Sequence, residues 1–453
     1  MILCSDLADS ARLVLWTKDE AGISNYARIA IKVQDNLGVC RSGGVAAVSG
    51  AILNDKNVAI QNAQISASLK SNNVALGKVN TTSTGGFEIN NLLMGQNYNF
   101  RASKEDEVYA GVTTLDISLI SRHLLDIEKL KTPCSIIAAD VDGNRSVDGA
   151  DMLHMRNFIL RKTSSLPAGA WKFIDKKYTF INPNEPLSED FPELVSIENI
   201  AQNFSLGFTA VKIGDVNNTY RPISSVPVNA RENNVLAFTT DDIALEAGKT
   251  YAIKLKASDF KASDYQFTLG ITEGFATIKS VEAGNLPNMG NGNFAVFKNA
   301  ITTSWNGISK ESEVEALTMT FVVNQNAKLS DILSINSVIT PMDATNTEGV
   351  SLKLQLSFGN SLVKEGGEFA LYQNRPNPMS NTTAIGFNLP KESDAILTIY
   401  NIEGKAMKVV NKTFKAGYNE VMVEKETFQT AGIYYYRLET SEHSATKKMV
   451  VSF

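Results

Sequence analysis

The densest set of hard oxygen donors in the chain is Asp140-Val-Asp-Gly-Asn-Arg-Ser-Val-Asp-Gly-Ala-Asp151. Its donors alternate in the way a short loop needs to wrap a calcium ion. Asp140, Asp142 and Asn144 would ligate by side chain, Ser146 by its carbonyl, Asp148 directly or through water, and Asp151 by the carboxylate that closes the loop. Four carboxylates this close repel one another without a cation, which favours metal over a plain Asx-rich turn. One position departs from the pattern. The sixth residue is usually glycine because the backbone needs positive φ there, and here it is Arg145, at a cost of about 1 kcal/mol that would weaken binding.

The loop belongs to a duplication. Val112-Thr-Thr-Leu-Asp-Ile-Ser-Leu-Ile-Ser-Arg-His-Leu-Leu and Val147-Asp-Gly-Ala-Asp-Met-Leu-His-Met-Arg-Asn-Phe-Ile-Leu align at an offset of 35. Each copy predicts a helix, with Ile117, Ile120 and Leu124 matching Met152, Met155 and Ile159. Asp116 and Asp151 fall in the first turns, where a carboxylate can accept amide hydrogen bonds and meet the positive helix end. Counting back from Asp116 gives a second candidate set, Glu105, Glu107, Gly111, Thr113 and Asp116, with Tyr109 at the fifth position. The alternative for these glutamates is solvation of a loop. Asp215-Val-Asn217 opens like a further calcium loop but has Val226 at its twelfth position, so a plain turn is expected.

No other chemistry stands out. The histidines are His123, His154 and His443, the first two on the duplicated helices, and no nucleophile elbow, phosphate loop or His-Glu metal helix occurs. A non-catalytic chain is expected. Trp16, Trp171 and Trp305 are scattered and read as core residues rather than sugar platforms. The 43 basic and 48 acidic residues form no basic stripe with interleaved aromatics, which argues against nucleic acid as partner. Cys4, Cys40 and Cys134 leave room for at most one bridge, Cys4 to Cys40, with Cys134 read as a free, buried thiol. No apolar run reaches the roughly 18 residues needed to cross a bilayer. Cys4 and Asp6 stand where a signal peptide would be basic and then apolar, so the chain is expected to begin inside a longer gene product.

The elements that must position the loop are mostly β, and 453 residues suggest several modules. Two alternating runs, Ala11-Arg-Leu-Val-Leu-Trp and Tyr26-Ala-Arg-Ile-Ala-Ile, predict a hairpin. It resembles the last strands of an immunoglobulin-like repeat of bacterial surface proteins, giving a truncated β-domain at 1–40. Strand candidates from Val45 to Ala102, with Thr84-Gly-Gly-Phe and Leu92-Leu-Met-Gly-Gln-Asn-Tyr, resemble a carboxypeptidase-regulatory-like β-sandwich at 45–103. The paired loop-helix segments resemble a dockerin type I module, the calcium-binding plug that docks onto cohesin domains. With the continuation Trp171-Lys-Phe-Ile, Tyr178-Thr-Phe and Phe208-Thr-Ala-Val-Lys-Ile-Gly-Asp-Val-Asn217, similar to an extension in Bacteroidetes surface proteins, this module is set at 104–220. The resemblance implies calcium as cofactor. Tyr265-Gln-Phe-Thr-Leu and Thr302-Thr-Ser-Trp-Asn, in an all-β stretch at 226–358, are similar to cohesin-like sandwiches. With both partner-like modules in one chain, docking could be intramolecular or between molecules.

A linker at 359–367 leads to the last module, 369–453. Leu371-Tyr-Gln-Asn-Arg-Pro-Asn-Pro, Ala395-Ile-Leu-Thr-Ile-Tyr-Asn, Glu403-Gly-Lys, Gly432-Ile-Tyr-Tyr-Tyr-Arg-Leu and Thr446-Lys-Lys-Met-Val-Val-Ser-Phe, in this order, resemble the type A sorting domain of the type IX secretion system. That resemblance implies the type IX machinery as a partner and a secreted or outer-surface location. The whole reads as tandem β-sandwiches with a small helical calcium module, a structural or adhesive surface protein. Two alternatives stay open: the non-catalytic tail of a secreted hydrolase, or a carbohydrate-binding module whose partner is a glycan.

Overall fold

Alternating apolar and polar runs become strands along most of the chain. The computed structural model describes residues 11–31 except 19, 21 and 23, then 44–221, 235–359, and 369–452 except 375, 376, 380, 381 and 429. Cys4, Cys40 and Val226, and most of the expected linker, lie outside the described residues. The expected hairpin is present, with β1 (Ala11–Lys18) antiparallel to β2 (Ser24–Ile31). Trp16, expected in a core, is instead 66 % exposed and rests on Tyr26. Among the described residues no second layer covers this two-stranded sheet.

The next body departs from the expected boundary near 103. β3 (Val45–Leu53), β4 (Gln64–Leu69), β5 (Ala75–Asn80), β6 (Gly86–Leu93) and β7 (Tyr98–Ser103) are joined by β8 (Trp171–Asp175), β9 (Val195–Ile197) and β10 (Phe204–Lys212). One sheet has the order β6-β3-β10-β8 and the other β5-β4-β7-β9. β10 runs parallel to β3, from Phe204 opposite Val48 to Thr209 opposite Leu53, and β9 completes the edge of β7. Residues 45–103 therefore share a sandwich with the continuation that sequence had assigned to the helical module. The reason is core size, since so few residues bury too little apolar surface alone. Val48, Ile52, Phe87 and Phe100 close on Trp171, Phe173, Phe208 and Tyr220 in one core.

Inserted between β7 and β8 are three helices: α1 (Thr114–Leu124), α2 (Pro133–Ala139) and α3 (Gly149–Ile159). Sequence had anticipated the first and third. Ile117, Ile120, Met155, Phe158 and Ile159 pack against Ile137 of α2 and Ile213 and Val216 beyond β10. Leu124, matched to Ile159 in the duplication, is 39 % exposed instead.

A larger sandwich follows. One sheet joins β11 (Val235–Thr240), β13 (Thr250–Ala257), β15 (Ala276–Ala283), β18 (Val314–Val323) and β22 (Lys353–Phe358) in the order β15-β18-β13-β11-β22. The other has the order β16-β17-β14-β20, from β14 (Ala262–Ile271), β16 (Phe294–Val296), β17 (Ala300–Asn306) and β20 (Leu333–Asn336), and β21 (Asp343–Asn346) also pairs with β14. A short ladder of β12 (Ala244–Leu245) with β19 (Ala327–Lys328) closes one end. Trp305, Phe238, Tyr265, Phe267 and Phe321 lie in its core.

The last body is a sandwich of β23 (Ala370–Leu371), β24 (Thr382–Leu389) and β27 (Gly417–Glu424) on β25 (Ser393–Tyr400), β26 (Ala406–Phe414), β28 (Gly432–Thr440) and β29 (Ser444–Val451). Its core holds Ile385, Phe387, Leu397, Val423, Tyr436 and Met449.

Candidate functional site

The Asp140 loop is held from both ends by α3. Asp148 caps that helix, accepting from the Ala150 N–H at 2.7 Å, while its own N–H donates to Asp151 Oδ2 at 2.9 Å. Asp151 Oδ1 reaches back to accept from the N–H groups of Val141 (2.9 Å) and Asp142 (3.3 Å). Asp140 accepts from Gly143 and Arg145 N–H groups, and Asn144 Oδ1 from the Ser146 N–H at 2.7 Å. Carboxylate oxygens of Asp140, Asp142 and Asp151 then lie within 4.8 Å of one another. Three such groups at that spacing fit a hard cation, and Asp148 stands outside the trio as a cap. Burial pushes the Asp140 and Asp151 carboxyls up, and the nearby Asp142 charge adds to the rise against the lowering effect of the backbone N–H donors. Arg145 takes φ +70°, the left-handed conformation that the sixth position requires, and its guanidinium pairs with Asp190.

The second candidate set is split by the fold. Glu107 is held by Lys104 at 3.0 Å and accepts from the Tyr220 hydroxyl at 2.5 Å, while Glu105 lines a cavity of about 340 Å³ with Trp171 and Glu193. Asp116 has other partners. Its Oδ2 accepts from the Thr113 N–H at 2.8 Å, and its Oδ1 accepts from the N–H groups of Val216 (2.9 Å) and Asn217 (3.3 Å). Gly111 lies against Asp215, where an added Cβ would stand 2.6 Å from Asp215 Oδ2. The expected plain turn at Asp215-Val-Asn217 is thus packed on the first turn of α1. Burial, then the Asp215 charge, holds the Asp116 carboxyl well above the carboxylate range. Lys212 is buried nearby and pushed down to about 7, chiefly by burial, with its amino group donating to the Val108 carbonyl at 2.5 Å.

The helical segment also makes a broad contact that sequence left open. β14 and β17 alternate as half-exposed strands should, with Tyr265, Phe267, Ile301 and Trp305 turned into the core and Asp264, Gln266, Thr268, Thr302 and Ser304 turned out. Yet Asp264, Gln266, Thr268, Thr302 and Ser304 are no more than 1 % exposed, because α1, Leu160 at the end of α3 and the sandwich's own segment at Ile339, Thr340 and Pro341 lie over them. Gln266 Oε1 accepts from the Thr114 N–H (2.7 Å) and hydroxyl (2.9 Å), and the Thr114 and Ser304 hydroxyls are 2.8 Å apart. Thr302 and Thr340 donate to the carbonyls of Leu160 (2.8 Å) and Ile159 (2.6 Å), at the end of α3. Arg156 reaches Asn306, and Arg161 donates to the Ile339 carbonyl at 3.1 Å.

Other candidate residues take structural places. Trp171 has Lys212 over its ring, Phe173 stacked beside it and Tyr220 edge-on, and it is buried at 9 % exposure. His123 Nδ1 accepts from the Leu130 N–H at 3.2 Å. Cys134 is free and partly buried, and burial pushes its thiol up to about 12.

Residues 375–452 match the family model of the secretion system C-terminal sorting domain. The last sandwich is accordingly a type IX sorting domain, which marks the chain for export. A search of curated proteins finds no match. Among solved structures, a non-cellulosomal cohesin from Archaeoglobus fulgidus is 16 % identical and covers 27 % of this chain and 86 % of its own, with a TM-score of 0.21. A type I cohesin–dockerin complex from Clostridium thermocellum is 12 % identical over 29 % of this chain and 94 % of that one, with a TM-score of 0.24. The type II cohesin A11 of Bacteroides cellulosolvens is 10 % identical over 28 % and 97 %, at 0.22.

Proposed function

We propose that this is an exported, non-catalytic surface protein in which a calcium-stabilised helical module serves as an intramolecular clamp on the neighbouring sandwich. The carrying observation is the buried hydroxyl and amide network between α1, α3 and the outer face of β14 and β17, a face that the strand alternation would otherwise give to water. Such a polar, hydrogen-bonded contact has the character of an interface between two recognising modules. It favours the dockerin-like module meeting its cohesin-like partner within the same chain.

Calcium would be held by Asp140, Asp142 and Asp151, the trio of carboxylates within 4.8 Å, with Asn144, Ser146 and Asp148 completing the set. A bound cation would neutralise the loop and fix the start of α3, and through α3 the contact with Thr302 and Thr340. Because a ligand that binds only the folded state stabilises it by mass action, millimolar calcium should raise the melting temperature of the chelator-treated full chain. Asp140→Ala combined with Asp151→Ala should abolish the rise. An equal calcium response in the double variant would sink the metal reading.

A further inference from the structure

We infer that the chain holds a second cation site in two pieces, Asp116 at the start of α1 and Asp215 with Asn217 at the turn after β10. The inference rests on the reading of Asp140–Asp151 as a cation loop. In that loop Asp151 accepts from Val141, Asp142 and Asp148 N–H groups at 2.9, 3.3 and 2.9 Å. Asp116 accepts from Val216, Asn217 and Thr113 N–H groups at 2.9, 3.3 and 2.8 Å. The same three bonds therefore set Asp215-Val-Asn217 against α1 as Asp140-Val-Asp142 is set against α3. Asp215 takes the place of Asp140 and Asn217 that of Asp142, while Thr113 and Asp116 take the ninth and twelfth places. The carboxylate missing downstream of Asp215 is supplied from about a hundred residues upstream.

Two further observations point to an ion. The side-chain oxygen of Asn217 is closed off from solvent with no hydrogen-bond partner, although a buried carbonyl oxygen is costly to leave unpaired. Asp116 and Asp215 are 0 % and 4 % exposed, two acidic groups brought together away from water. The buried amine Lys212, whose charge is felt at Asp215, gives its hydrogen bonds to the carbonyls of Val108 and Ala170. Gly111 leaves the room that Asp215 occupies, at φ +80°, where any Cβ would strike the carboxylate. All-oxygen donors of this kind suit calcium.

The test is calcium titration of the chelator-stripped full chain, read by calorimetric stoichiometry and by native mass. Two ions should bind the unaltered protein and one the Asp140→Ala variant. Asn217→Ala, which removes the side-chain amide with its orphan oxygen, should weaken one of the two ions at least tenfold, and Asp215→Asn should do the same. One ion in the unaltered protein, lost in Asp140→Ala, would overturn the split site while leaving the continuous loop intact; no ion at all would overturn both. Two ions of unchanged affinity in Asn217→Ala would also overturn it.

Discussion

The residue on which acidity should act most visibly is Asp264. It lies on β14 beneath α1, accepts from the Ser263 hydroxyl at 2.8 Å and from Ser118 at 3.4 Å, and is pushed up to about 6 by burial, with Asp343 adding to the rise. The folded pKa lies above the unfolded value of about 3.9. Its contribution to stability is therefore complete below about pH 4 and lost as pH rises through about 6. Asp264→Asn should flatten the loss of melting temperature between about pH 4 and 6 relative to the unaltered chain, and add about 1–2 kcal/mol at pH 7. Identical pH profiles for the two proteins would refute this. The same residue marks a limit of sequence reading. The Asp140 loop was legible because twelve contiguous residues carry its whole donor pattern. Neither the burial of Asp264 nor the meeting of Asp116 with Asp215 leaves any local spacing to read.

Helices this short are marginal alone, and the groups at their ends need partners. α1 and α3 find some of theirs on the sandwich. Gln266 takes the Thr114 N–H at the start of α1, and Thr302 and Thr340 serve the carbonyls at the end of α3. Replacing both threonines by valine keeps their shape and leaves two buried carbonyls short of a donor, at about 1–3 kcal/mol each. Calorimetry of the double variant should show a lower melting temperature, with the helical segment and sandwich separating into distinct transitions; an unchanged single transition would count against the clamp. Sequence placed α1 and α3 correctly from Asp116, Asp151 and the apolar spacing. It missed α2, whose seven residues Pro133–Ala139 are too few to show a period. Nor could it say what covers the outward residues of β17, because alternation cannot tell water from a helix laid over the sheet.

At the scale of the whole molecule, the type IX sorting domain divides the chain into cargo and address. Removing residues 369–453 should retain the protein inside a type IX-competent host, and fusing them to a periplasm-targeted reporter should deliver it outside. Export of the truncated chain at the full level would contradict that division. The predominance of β-structure and the terminal sorting domain were legible, but the boundary near 103 was not, since a parallel neighbour leaves no turn in the sequence to announce it. That neighbour also governs when the protein can fold. The Ala47 N–H is bonded to the Asn203 side chain across 156 residues, beside the β3–β10 ladder. The first sandwich therefore has high contact order, and its closure must wait until the helices and β10 have left the ribosome. Until then β3 offers one unpaired edge, a template for pairing with other chains. Synthesis and export thus face their greatest aggregation hazard in the first half of the chain, well before the sorting domain has been made.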